Sequence, residues 1–157
     1  MAAACARSRR AALTWRLPCV PYPGHCPPCA DFHWVGFYRA VGARELVIGP
    51  YQGGHGCLRI AFSRGVCGAA ARSRETQLVP DVHAFPGHIA CASSTRSELV
   101  VPLVRPTADG RGALLGVLDV DSDEPAAFTA VDLARLEALA ADLAAREWRT
   151  GVDAATE

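Results

Sequence analysis

At 157 residues, half of them apolar and a fifth charged, the chain is the size of one soluble globular domain able to bury a real core. Sixteen basic residues, every one an arginine, balance sixteen acidic ones, which argues against the basic face that a dedicated nucleic-acid binder needs. No apolar run approaches the roughly 18–20 residues that span a bilayer, so neither nucleic acid nor a membrane is an expected partner.

Residues 1–30 contain no acid, and Ser8-Arg9-Arg10 resembles the opening of a twin-arginine export signal. Such a signal needs an apolar stretch of about 7–15 residues after the charges. Arg16, Pro18 and Pro21 interrupt it here, so the expected compartment is the cytoplasm. Pro18, Pro21, Pro23, Gly24, Pro27 and Pro28 exclude a regular helix and fit poorly in a central strand. The expected organisation is therefore an irregular, atypical segment over 1–30, a folded domain over 31–148 and a frayed tail over 149–157.

From Phe32 the pattern changes. Phe32–Arg39 is aromatic and β-prone and reads as a strand. A Gly42-Ala43-Arg44 turn leads to a second strand, Glu45–Pro50; Gly53-Gly54-His55-Gly56 is a loop, and Cys57–Phe62 is a third strand. Gly65–Ser73 reads as a short helix and Gln77–Val79 as a brief extended stretch. A polar loop then runs from Pro80 to about Arg96, long enough inside a small domain to signal a functional role.

Glu98–Val104 and Ala113–Asp121 are strands joined by a Pro106-to-Gly112 turn, the first apolar enough inside to be covered on both faces. Thr129 and Asp132 have the spacing of a helix N-terminal capping pair. Leu133, Leu136, Leu139 or Ala140, and Leu143 then make one apolar stripe, with fraying after Trp148. The sum is an α+β domain, a mostly antiparallel central sheet flanked by helices.

Seven cysteines form two groups, an odd count that does not suit a fully paired framework. Cys26-Pro27-Pro28-Cys29, with His25 and His33 nearby, has the spacing of two zinc ligands or a redox dithiol. No second pair matches it, and it does not open a helix after a strand, so incidental thiols are the expectation. The other group is Cys57, Cys67 and Cys91, with Glu98, Asp119 and Asp121. Cys91 lies on the long loop beside His83 and His88, where an imidazolium or loop amides can activate a thiol. Cys67, in Val66-Cys67-Gly68-Ala69-Ala70, reads on composition as a small buried hydrophobe. Asp119 and Asp121 alternate with Leu118 and Val120, which aims both carboxylates at one face. There they repel, raising one pKa unless a cation intervenes; a solvated strand end is the plainer alternative.

These residues resemble a known family. Trp34-Val35-Gly36-Phe37-Tyr38, Gly65-Val66-Cys67-Gly68, the run from Asp81 to Cys91, Ser97-Glu98-Leu99-Val100-Val101-Pro102 and Gly116-Val117-Leu118-Asp119-Val120-Asp121-Ser122 resemble the free methionine-(R)-sulfoxide reductases, a GAF-domain family. The resemblance runs in order from about Phe32 to Leu143. It implies a single GAF-like fold and a reductase of free methionine-(R)-sulfoxide, with thioredoxin or a similar dithiol as reductant and no metal or organic cofactor. It further implies Cys91 as the attacking thiolate, Cys57 as the resolving thiol and Cys67 as an auxiliary or alternative partner. Glu98, Asp119 and Asp121 would line the substrate pocket and supply the proton, with Trp34 and Tyr38 holding the methyl-thioether end.

Two departures stand out. Ala92 follows the nucleophile where most relatives carry an acid, and residues 1–30 do not resemble the amphipathic helix that packs beside the C-terminal helix in the family. Without that helix, apolar sheet surface stays open, which invites a homodimer. The competing readings are a non-catalytic GAF module that binds a small ligand, since the fold hosts many functions, and a zinc-binding interaction protein built on Cys26 and Cys29.

Overall fold

A computed structural model describes residues 32–146. The segment 1–30 with its four cysteines and His25, together with Trp148 and the tail 149–157, lies outside the described residues. Six strands form one antiparallel sheet: β1 (Phe32–Val41), β2 (Glu45–Gly53), β3 (Arg59–Ala61), β4 (Gln77–Val79), β5 (Ser97–Arg105) and β6 (Ala113–Ser122), in the spatial order β3-β2-β1-β6-β5-β4. Helix α1 (Gly65–Ser73) packs with the loop 80–96 on one face, and α2 (Ala130–Ala145) on the other.

The period of two along each strand divides the core. On the α1 face lie Trp34, Tyr38, Val66, Cys67, Val82, Val100 and Val117; on the α2 face lie Leu99, Val101, Leu103, Leu118, Val120 and Phe128. β5 contributes to both cores, as its apolar interior predicts. The expected helix cap is present in both directions: Asp132 N–H donates to Thr129 Oγ1 at 3.3 Å, and Thr129 N–H donates to Asp132 Oδ2 at 2.8 Å. Ala140 and Ala144 carry the fully buried part of α2, whereas Leu139 is 44% exposed, which settles the ambiguous position of the stripe in favour of Ala140.

One boundary differs in a way that matters. The third strand is only Arg59–Ala61, so Cys57 sits in the preceding loop rather than in the sheet. A ladder position would lock its side chain to a sheet face, whereas the loop lets it lean across to the segment 80–96. Elsewhere the differences are extensions by a few residues, as at β1 and β2, where cross-strand pairing carries the strands past their β-prone cores.

Candidate active site

The site is assembled by register. On β6, Asp121 stands opposite Glu98 of β5 on one side and Trp34 of β1 on the other; Asp119 stands between Val100 and Gly36. Glu98, Asp119 and Asp121 therefore share the α1 face, in two adjacent rows. All three are buried, at 7%, 5% and 8% exposure, which removes the reading of Asp119 and Asp121 as a solvated strand end. Gly36 is needed for this layer to close, because a Cβ there would meet the Trp34 ring at 2.4 Å. Trp34 stacks on Tyr51 and Tyr38, with ring centroids 5.6 Å apart in each pair.

Above the acids, the first turn of α1 places Cys67, 3% exposed, with its thiol donating to Glu98 Oε1 at 3.8 Å. The loop 80–96 closes the cavity from the other side. Gly65 N–H donates to the Gly87 carbonyl at 3.0 Å, Val82 N–H to the Arg96 carbonyl at 2.9 Å, and Asp81 caps the 3-10 turn Val82–Ala84 through His83 N–H. Gly65 has φ +64°, and a Cβ there would lie 2.7 Å from Ile89, so the helix start and the loop approach this closely only with glycine. His88, Ile89, Cys91, Ala92 and Thr95 of the loop face Cys67, Glu98, Asp119 and Asp121 across one cavity.

Cys91 is joined to Cys57, 34 residues earlier, with the Cα atoms 5.1 Å apart; Cys67 is the free cysteine among the described residues. The Cys57 loop rests on the aromatic floor: a Cβ at Gly56 would lie 3.1 Å from the Trp34 ring and 3.2 Å from the Tyr38 hydroxyl. Trp34 and Tyr38 thus pack beneath the Cys57 loop.

The electrostatics follow from placing three acids and a thiol in a buried space with no arginine among the described residues of the cavity wall. Burial, then the neighbouring Asp119 and Asp121, push Glu98 well above the ordinary carboxylate range. Burial and the charges of Asp119 and Asp123 do the same to Asp121. Asp119 rises to about 6, burial outweighing the hydrogen bonds with Cys67 and Glu98 that favour its charged form. All three carboxyls are thus biased toward their protonated forms by burial. Burial and then Asp119 raise the Cys67 thiol, keeping it protonated. His88 is pushed down by burial and by His83, its T-shaped neighbour, which disfavours an imidazolium there.

Sequence reasoning missed one group. His33 bridges two polar groups: its Nδ1 lies 2.9 Å from Asp123 Oδ1, and its Nε2 lies 3.2 Å from Thr95 Oγ1. Thr95, 4% exposed, lines the cavity, so a chain of polar groups connects the half-exposed Asp123 to the site. Nothing local marks this contact, since His33 and Thr95 are 62 residues apart and meet only because β1, β6 and the loop converge. Among the described residues, no helix is long and apolar enough to cross a membrane.

The chain matches the GAF domain over residues 6–146. It is 49% identical over 102 residues to GAF domain-containing protein A of Dictyostelium discoideum, covering 65% of this chain and 61% of that protein. It is 46% identical over 112 residues to the free methionine-R-sulfoxide reductase of Saccharomyces cerevisiae, covering 70% of this chain and 60% of the other. Among solved structures, the free methionine-R-sulfoxide reductase of Neisseria meningitidis in complex with its substrate superposes with a TM-score of 0.63 at 49% identity, covering 69% of this chain and 63% of that one. The chain spans about three fifths of the length of these two curated relatives.

Proposed function

We propose that this chain, which belongs to the GAF-domain family, reduces free methionine-(R)-sulfoxide to methionine. The observation that carries the reading is the pairing of a loop disulfide with a buried acid cluster across one cavity: Cys57–Cys91 on one side, Glu98, Asp119 and Asp121 on the other. The relatives named as free methionine-R-sulfoxide reductases, one of them solved with its substrate, supply the substrate class.

A sulfoxide is a poor electrophile until its oxygen is protonated, and acids kept protonated by burial, Glu98 and Asp121, are suited to donate that proton. With the disulfide opened, the Cys91 thiolate attacks the activated sulfur. The oxygen passes to Cys91 as sulfenic acid while the substrate leaves as methionine. The Cys57 thiol condenses with the sulfenic acid, releasing water and forming the disulfide observed here. Thioredoxin or a similar dithiol then exchanges with it, becoming oxidised as both cysteines are reduced. Cys67, outside the disulfide and donating to Glu98, is auxiliary: it holds a hydrogen bond in the acid cluster. The ionised member of the cluster pairs with the substrate ammonium, which an amide-linked methionine lacks, and so favours the free amino acid.

The test is methionine formation from the separate R and S sulfoxides of free methionine with excess dithiol. Turnover of the R form alone supports the reading. Failure in a folded sample, judged by cooperative thermal unfolding, would assign the cavity instead to a non-catalytic ligand-binding module.

A further inference from the structure

Cys67 is the buried nucleophilic group that the proposed reaction does not attack with, and its surroundings are those of a ligand. Its sulfur and one carboxylate oxygen each from Glu98 and Asp119 all lie within 4.8 Å of one another. The Cys67–Glu98 separation is 3.8 Å. In a tetrahedral zinc site, Zn–S of about 2.3 Å and Zn–O of about 2.0–2.2 Å space the sulfur and oxygen by about 3.5 Å. The Cys67–Glu98 pair is within a few tenths of an ångström of that spacing, and Asp119 lies within 4.8 Å of both.

A second observation is independent of this spacing. Asp119 Oδ1, on a side chain 5% exposed, is buried with no hydrogen-bond partner among the described residues; the hydrogen bonds of this carboxyl with Cys67 and Glu98 leave that one oxygen open. An orphaned carboxylate oxygen in a cavity wall without arginine among the described residues calls for a proton or an external cation. Carboxylates alone would suit calcium or magnesium, but a thiol in the same triad selects a softer, zinc-like ion.

We propose that this protein binds one thiophilic divalent cation, of the zinc type, through Cys67, Glu98 and Asp119. Binding sends the thiol proton, and any carboxylate proton the ion displaces, to solvent, so affinity rises with pH. The ion occupies the acids proposed to receive the substrate, and the two exclude one another. That exclusion rests on the reductase reading; the binding does not.

The experiment titrates the full chain, stripped with chelator and kept reduced, with cobalt(II) as a spectroscopic stand-in for zinc. We expect one cobalt per chain that depends on Cys67, a thiolate-to-cobalt charge-transfer band, and displacement by zinc. The band survives in C57S/C91S and in C5S/C19S/C26S/C29S, which remove the other thiols, and disappears in C67A. E98Q and D119N, each checked for cooperative unfolding, weaken cobalt binding at least tenfold, so the test stands even where C67A fails to fold.

Absence of the band in the reduced protein, its persistence in folded C67A, its loss in either multiple-cysteine variant, or unchanged affinity in both E98Q and D119N would each overturn the site. Zinc should also inhibit turnover competitively with the sulfoxide. A Cys67-dependent band in a protein with no turnover leaves the metal site standing while the reductase reading falls.

Discussion

The two faces of the sheet are built from the same strands and do opposite work. β6 sends Leu118 and Val120 to one side and Asp119 and Asp121 to the other; β5 sends Leu99 and Val101 against α2 and Glu98 toward α1. The α2 face is apolar and packs against a capped helix. The α1 face buries three acids and a thiol under a loop bridged by a disulfide. The folded state tolerates that polar layer because the apolar side, with Leu99 and Leu103 almost wholly buried, stabilises what the acid side costs. The proposed chemistry and the stability are thus segregated by the pleat, and variants on the two faces should fail differently.

The largest separation is expected at Cys91. Cys91→Ser should lower turnover by at least ~10³-fold while leaving the thermal midpoint of the reduced protein nearly unchanged. Sulfoxide-reduction kinetics and unfolding, both under reducing conditions, check this pair of outcomes. Residual activity near the parent level would show that the α1 face does not work through this thiol.

Leu99→Ala tests the opposite face. Truncating a fully buried leucine should cost about 2–5 kcal/mol, read from denaturant unfolding, while turnover per folded molecule stays near that of the parent. A large fall in that specific turnover would mean that the two faces are coupled and not segregated.

The pH dependence sharpens the contrast. Asp119 titrates at about 6 in the folded protein, above the ordinary value of 3.8. A raised carboxyl pKa contributes stability that is complete below the unfolded value and lost as pH rises through the folded one. The parent should therefore lose stability between about pH 4 and pH 7 through this group, with Glu98 and Asp121 acting in the same direction. Asp119→Asn should escape its share, on the order of 1–3 kcal/mol. Its midpoint relative to the parent should improve from pH 5 to pH 8, whereas the Leu99→Ala deficit should stay constant across that range. An Asp119→Asn midpoint that tracks the parent at every pH would refute the buried-acid account.

Thr129→Ala is the smallest expected effect. Loss of the cap should cost about 1 kcal/mol, visible as a modest drop in midpoint with no change in turnover. A change in turnover here would again break the separation of the two faces.

Much of the fold was legible locally. Aromatic and β-branched runs marked β1 and β6, period-two alternation put Asp119 and Asp121 on one face, and Thr129 with Asp132 marked the start of α2. The reading failed at Cys57, whose neighbours look strand-like but which lies outside the pairing of β2 with β3, and at His33, whose partners come from distant segments. Trp34 and Tyr38 were legible as important, but their place beneath the Cys57 loop was not.

By itself, the sequence determined which elements form and which side of each strand is polar, because propensity, pleat and capping act over a few residues. Only the tertiary structure decided that Glu98 meets Asp121 across β5 and β6, that Cys57 rather than Cys67 is joined to Cys91, and that the acids are buried. Those outcomes depend on strand register and on two loops converging over one face, and desolvation of a carboxylate exists only once that face is covered.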